Sequence, residues 1–489
     1  MDKYVYFVFG IIFIVLLTKY KLKMGEKLTK FKSRFMNILL WSIISAAFIG
    51  PGTVTTATKA GADFQFQLLW ALVFATIACL VLQEASARAA IYSKMNLGQA
   101  IKFHFQGSRG QIPVLVLIVG AIILGCTAYE AGNILGAAEG LALIFPGLGK
   151  RLIITTIALV VGVALSLKSL RSTANFMGIF VFIMGITFIT TAFLADPPIG
   201  ELAHGLFVPS FPEVPEAGLL VLGLVGTTVV PYDLFLGSNV VQKDTTVRDM
   251  RVGIGVSVIL GGIISMAILI VGTQMTRGLT PEVVENMDFS YLLLTQTLAK
   301  QIGQWAGYIF GFGMFAAGFT SAITSSLVST LTARSIFGKK KSDGTPENEN
   351  SFQWIAYMVL SVGVVLGFLQ VKPVPAIVAA QAFNGLILPF ICVFLFTVIN
   401  NAKVMGIEHL NGKFSNVMMI IVTWVTLILG IKKLVDSVSM ALNLEIASPD
   451  LLFIWSSIVA FVITVIISVC IYKNRIKSIE EMRQLAKVL

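Results

Sequence analysis

Two short stretches set hydroxyl side chains beside helix breakers in the middle of apolar runs. One is Gly50-Pro51-Gly52-Thr53-Val54-Thr55-Thr56; the other is Gly226-Thr227-Thr228 followed by Val230-Pro231. Proline removes a backbone N–H and glycine loosens the chain, so each stretch frees carbonyls and amides that an unbroken helix would consume. In hydrocarbon such groups are tolerated only where they line a protein-enclosed or wet cavity. Freed carbonyls, flanking hydroxyls and the partial charges of half-helix ends suit the binding of ions or small polar solutes. Catalysis has no comparable constellation: the three histidines, His104, His204 and His409, fall in predicted loops, and no HxxxH, GxSxG or Walker-type lysine occurs.

Ionisable residues within apolar runs are functional candidates by default. Glu130 and Asn133 are three apart and share a helix face; Glu130 reads either as a proton relay or as a paired structural carboxylate. Glu139 lies nine residues beyond Glu130, about half a turn out of phase at roughly 100° per residue, which directs it toward the external mouth. Glu84 and Arg88, one turn apart near the cytoplasmic end of their span, read as a structural or gating pair. Lys59 either snorkels outward or takes the place of a bound cation.

The elements that must position these residues are membrane helices. Of 489 residues, 56% are hydrophobic and 12% charged, against about 25% charged in soluble domains, and the mean hydropathy is +0.87. Apolar segments long enough to cross a bilayer occur near 36–62, 66–92, 112–141, 151–167, 174–195, 217–241, 252–276, 303–336, 353–371, 374–400, 415–435 and 451–472, with a shorter one at 4–18. Cys79, Cys126, Cys392 and Cys470 all sit inside such runs without CxxC spacing and read as packing residues.

The net charge of +11 reflects loop cations that orient helices, so no nucleic-acid partner is expected. Seven Lys and Arg between 19 and 35 follow the 4–18 segment, which predicts an uncleaved anchor with its N-terminus outside. Alternate loops are then basic, with Lys94, Lys102 and Arg109, Lys168 and Arg171, Lys243, Arg248 and Arg251, and Lys339 to Lys341, while 196–216 has four acids and no Lys or Arg. The basic C-terminal helix 473–489 is placed in the cytoplasm, giving a multi-pass protein of the cell membrane whose surroundings are the lipid bilayer.

The two breaks fall in spans one and six, which are corresponding positions of two five-span halves. A matched pair of broken helices points to an inverted-repeat secondary transporter with a small ion or solute bound at mid-membrane. The fold expected is all-α, a 5+5 inverted repeat of the leucine-transporter type with discontinuous helices 1 and 6, about twelve core spans and an extra N-terminal span. It divides into an anchor and basic linker (1–32), a ten-helix core (33–400), and two further helices with a basic tail (401–489).

The stretch "GPGTVTTATKAGADFQFQLLWALV", then "LQEASARAAI", resembles the first two helices of the NRAMP family of proton-coupled divalent-metal transporters. "GTTVVPYDLFLGS" resembles that family's sixth helix, "MFAAGFTSAIT" its eighth and "AQAFNGLILPF" its tenth, so the likeness covers roughly 33–400. It implies metal-cation transport, no resident cofactor, and a coupling proton or cation.

The departures from the family pattern fall on the chemistry. The positions that supply an Asp and an Asn to the metal are Gly50 and Thr53; the thioether Met is Val230, the His beyond it is Tyr232, and a further Asp is Ala57. The acidic pair linked to protons aligns with Glu130 and Asn133, and Gln381 is retained. What the resemblance leaves for substrate is the Ala47 carbonyl, the hydroxyls of Thr53 and Thr56, Thr227, Tyr232, Asp233 and Gln381, with Thr53, Asp233 and Gln381 as the candidate metal ligands. Asp233 reads either as a displaced site carboxylate or as an N-cap of the outgoing half-helix. A site stripped of carboxylate and sulfur loses charge neutralisation and softness together. The rivals to a metal carrier with altered selectivity are therefore a carrier of a small polar organic solute or monovalent cation, and a non-transporting membrane sensor.

Overall fold

The structure is a computed structural model that describes residues 49–166, 170–212, 214–239, 241, 245–279, 290–338, 351–369, 371–441 and 449–488. The expected anchor and linker (1–32), the incoming half of the first span with Ala47, and most of the loop holding Lys339 to Lys341 lie outside the described residues. All regular structure among the described residues is helical.

The helices are α1 (Pro51–Phe64), α2 (Leu69–Ser93), α3 (Leu97–His104), α4 (Gln111–Ile144), α5 (Lys150–Ser166) and α6 (Leu170–Leu194). After the short α7 (Ile199–Phe207) comes the interrupted pair α8 (Pro215–Thr228) and α9 (Pro231–Asn239), then α10 (Val247–Thr276), α11 (Tyr291–Ile302), α12 (Trp305–Phe337), α13 (Gln353–Phe368) and α14 (Pro373–Ile399). The chain closes with α15 (Ala402–Met405), a 3₁₀ turn at Ile407–His409, α16 (Lys413–Ala441) and α17 (Pro449–Val488). The span expected at 451–472 and the basic tail thus form one continuous helix. The histidines expected in loops instead sit on short elements: His104 ends α3, His204 lies in α7 and His409 in the 3₁₀ turn. Short amphipathic segments between spans carry too little apolar length to register as helices in a hydropathy reading.

Counting α8 and α9 as one sixth span, the packing repeats under a shift of five. The first span (α1) packs on the seventh (α10) as the sixth packs on the second (α2); the third (α4) packs on the ninth (α13) as the eighth (α12) packs on the fourth (α5). The fifth (α6) meets the eighth and seventh as the tenth (α14) meets the third and second. Spans one, two, six and seven therefore form one bundle, and three, four, eight and nine a second, with five and ten joining them. The most extensive contact, α4 on α12, depends on small residues: a Cβ on Gly140 would lie 2.5 Å from the Gly311 carbonyl, and one on Gly311 2.8 Å from that of Gly140.

A polar hub ties this core to the C-terminal helices. Arg88 donates from Nε to both Glu84 oxygens at 3.0 and 3.2 Å and from its terminal nitrogens to the His409 carbonyl and Asn411 Oδ1. Arg251 of α10 bonds the same Glu84 at 2.8 Å, while Arg475 of α17 bonds Asn400 Oδ1 and the Asn411 carbonyl, each at 2.8 Å. The sequence pair Glu84 and Arg88 is thus one edge of a larger network. Arg88 is buried and Arg251 is exposed, so their replacement separates the two environments. Arg88→Met is expected to cost about 2–3 kcal/mol, the loss of charged hydrogen bonds whose partners stay partly buried, whereas Arg251→Met costs less than about 1 kcal/mol. Thermal melts of the detergent-solubilised protein check both.

Candidate functional site

At the first break the chain is extended at Gly50, with φ −121° and ψ −175°, and Pro51 starts α1 at a position where its missing N–H costs no hydrogen bond. At the second, α8 ends at Thr228, the chain leaves helical geometry through Val229 and Val230, and Pro231 starts α9. Pro231 has no N–H to return to the Thr227 carbonyl four residues back, so the sequence itself leaves that carbonyl without its helical partner. The Gly226 carbonyl, one position earlier, is satisfied from another helix: the Tyr129 hydroxyl of α4 donates to it at 2.8 Å.

Side chains from the two breaks meet directly. Thr53 Oγ1 and Thr227 Oγ1 are 2.9 Å apart and hydrogen-bonded. Two residues further along α1, Thr55 donates to the Pro51 carbonyl at 2.6 Å, which leaves its oxygen to accept from the Tyr291 hydroxyl of α11 at 2.7 Å. Gln381 of α14 fits against both breaks because glycine makes room for it. A Cβ on Gly52 would lie 1.9 Å from its Nε2, and one on Gly226 2.1 Å from its carbonyl oxygen. Thr56 completes the cluster, its Cγ2 2.9 Å from where a Cβ on Gly223 would be.

The polar atoms of this region are only partly satisfied. Thr56 Oγ1, Gln381 Oε1 and both carboxylate oxygens of Asp233 are buried without a hydrogen-bond partner among the described residues. For Asp233 this corrects the N-cap reading: it is the third residue of α9, its N–H bonds the Val230 carbonyl, and its carboxylate caps no amide. The capping position falls instead before Pro231, where the chain turns. Asp233 stands close enough to Tyr129, Tyr232, Cys79 and Cys126 to act on them electrostatically, and the Tyr129 and Tyr232 rings meet edge to face at 5.4 Å. Val230, Tyr232 and Asp233 are each no more than 3% exposed, as are Thr53, Thr56, Thr227 and Gln381, so these side chains are buried together in the helix bundle.

Glu130 and Asn133 converge on Ser325 of α12, which donates to Glu130 Oε2 and accepts from Asn133 Nδ2 at 3.4 Å. Glu130 Oε1 has no partner among the described residues. Gly363 of α13 closes over the carboxylate, since a Cβ there would lie 2.8 Å from Glu130 Cγ. Glu139 lies away from this group, paired with Lys150 at 2.7 Å. Lys59 is likewise paired, with Asp63 at 2.7 Å and both side chains partly exposed. This corrects the idea that Lys59 replaces a bound cation, because a carboxylate one turn along the same helix already takes its charge.

Three contributors went unremarked in the sequence: Tyr129, Ser325 and Tyr291. Tyr129 adjoins Glu130 in an apolar run, and Ser325 follows Ser321 by one turn in "FTSAITSS", so hydroxyls beside an intramembrane acid were the available signal. Tyr291 sits between spans and carried none. As for what the arrangement can hold, no cluster of three or more His, Cys, Asp or Glu is placed to bind a metal among the described residues. The available donors are oxygens, one carboxylate with hydroxyls, an amide and break carbonyls, a set suited to hard cations.

The family model described as Natural resistance-associated macrophage protein-like matches residues 41–436. The divalent metal cation transporter MntH of Bacillus subtilis is 26% identical over 411 residues, 81% of this chain and 91% of that protein. MntH of Levilactobacillus brevis is 25% identical over 411 residues, 80% and 86% of the two. Among solved structures, the Eremococcus coleocola manganese transporter superposes with a TM-score of 0.65 at 18% identity, covering 95% of this chain and 97% of that one. A nucleobase-cation-symport-1 family transporter in a closed conformation gives 0.51 at 16%, covering 90% and 93%.

Tyr129→Phe removes the donor and leaves the Gly226 carbonyl buried and unpaired. A loss of about 1–3 kcal/mol in stability is expected, read as a lower melting temperature, with no comparable loss for Tyr308→Phe on the exposed surface of α12.

Proposed function

Because the chain belongs to the Natural resistance-associated macrophage protein-like family, we propose that it carries a divalent metal cation across the membrane by alternating access around its two helix breaks. The single observation that carries this reading is Asp233, a buried carboxylate with both oxygens unpartnered at the second break. A dicationic substrate is what such a group would satisfy, because an uncompensated carboxylate in this environment is costly. Asp233 thus supplies the charge that Gly50 lacks, with Gln381 Oε1 and Thr56 Oγ1 as neutral oxygen donors. Val230 offers no thioether, so the site favours hard over soft ions and discriminates less against Mg²⁺ or Ca²⁺ than a sulfur-containing site does.

Glu130, held by Ser325 beside Asn133, is the group assigned to a coupling proton. The role of the chain is transport, with no catalytic reaction and no resident cofactor; its N-terminus is placed outside and its C-terminus in the cytoplasm by the loop cations. The rival reading as a carrier of organic solutes loses its motivating cation, since Lys59 is bound to Asp63.

Saturable Mn²⁺ uptake into proteoliposomes is expected, with Mg²⁺ competing and Cd²⁺ competing weakly. Asp233→Asn should reduce transport efficiency at least tenfold, equivalent to about 1.4 kcal/mol. Uptake of no divalent ion, or an unchanged Asp233→Asn, overturns the proposal. Stabilisation by amino acids or Na⁺ but not by divalents would transfer the site to the solute reading. A complementary gain is expected from Gly50→Asp: a Cβ at that position would stand 3.3 Å from Ser321 Oγ, so a small shift admits it, and the added carboxylate should lower the KM for Mn²⁺.

A further inference from the structure

Outside the central site, α4 and α14 leave between them a groove of about 360 Å³ on the outer surface of the helix bundle. Its rim is Val116 and Leu124 from α4 and Phe383 and Phe390 from α14; Val116, Leu124 and Phe390 are each more than half exposed. Its floor includes Gly120, where a Cβ would meet nothing within 4 Å. The lining is entirely apolar side chains and lies along membrane spans, so neither an ion nor a polar solute is a fitting occupant.

One end of the groove leads to a basic segment. Phe394, a lining residue, meets the Phe105 ring edge to face at 6.0 Å, and Phe105 directly follows α3. Val116 is five residues into α4 from Gln111, a rise of about 8 Å, and Arg109 lies two residues before that helix, next to its capping residue Gly110. The connection from Lys94 to Gln111 has Lys94, Lys102 and Arg109 and no acidic residue. Lys102 is turned to the Ile336 carbonyl at 2.6 Å, and His104 has its pKa lowered, first by burial and then by Lys403, so it does not add a cation. Arg109 is exposed and has no carboxylate at ion-pair distance among the described residues. An apolar groove whose first α4 residue, Val116, is seven positions from an exposed arginine with no ion pair among the described residues complements a molecule with one apolar chain and one anionic head.

We propose that the α4–α14 groove binds an anionic phospholipid, with an acyl chain laid along Gly120 and the phosphate held by Arg109. Of the two helices, α14 is one of the spans that join the bundles, touching spans of each, and α4 belongs to the bundle of spans three, four, eight and nine, so the lipid sits across the contact between that bundle and its joint. The site is independent of which substrate is carried.

Native mass spectrometry of the purified full chain, titrated with phosphatidylglycerol or with phosphatidylcholine of the same acyl chains, tests this. One phosphatidylglycerol should bind at least fivefold more tightly than phosphatidylcholine. Gly120→Phe, which projects into open space, should abolish that binding, and Arg109→Glu, on the exposed connection, should make the two lipids equivalent even if Gly120→Phe fails to fold. Equal binding of both lipids to the wild-type chain, retention of phosphatidylglycerol by a folded Gly120→Phe, unchanged preference in Arg109→Glu, or a dimer that excludes lipid from this face each overturns the proposal.

Discussion

The constraint on which the rest of this structure depends is that a backbone group released inside hydrocarbon must find a partner within the protein. Two breaks release such groups, and much of the core is arranged around them. Tyr129 reaches from the third span to the Gly226 carbonyl, and Thr53 and Thr227 bond across from one break to the other. The glycines at 52 and 226 bring Gln381 against both. Partnering is incomplete by design of the sequence: Pro231 cannot serve the Thr227 carbonyl, and the oxygens of Thr56, Gln381 and Asp233 remain for a guest.

Charge follows the same economy. The intramembrane candidates outside the centre are paired nearby: Lys59 with Asp63, Glu139 with Lys150, Glu84 with Arg88 and Arg251. The carboxylates of Asp233 and Glu130 differ, each keeping at least one oxygen without a protein partner. They lie on different bundles, Asp233 on the sixth span and Glu130 on the third. In the transport cycle proposed above, a motion of one bundle against the other would change the separation of the two buried acids, a physical basis for coupling a cation to a proton. The Tyr129–Gly226 bond also crosses between these bundles, so such a motion would break or carry it.

The shift-of-five symmetry in the packing explains why the breaks correspond. Spans in matching positions meet matching neighbours, so the two interrupted helices face each other at the centre and their threonines come within bonding distance. The C-terminal helices stand apart from this symmetry; α16 packs on α14, and Arg475 of α17 bonds Asn400 and the carbonyl of Asn411, whose side chain also accepts from Arg88.

Much of the fold was legible in the residues themselves. Lipid admits few structures, so the length and spacing of apolar runs located nearly every described span, and Gly-Pro-Gly and Val-Pro marked both breaks because proline's missing N–H acts locally. The Glu84–Arg88 pair and the common face of Glu130 and Asn133 followed from helical periodicity alone. What only the tertiary structure decided were relations between helices: that Asp233 caps nothing, that Ser325 holds Glu130, that Tyr129 serves Gly226, and that Gln381 fits where glycines leave space. Periodicity assigns a residue to a face of its own helix but contains no information on which helix lies opposite. Hydrogen-bond partners 97 and 195 positions apart in sequence are set by how the bundles close on each other. The sequence by itself thus determined where the backbone must open, and the packing of ten spans decided which atoms were left facing that opening without a partner.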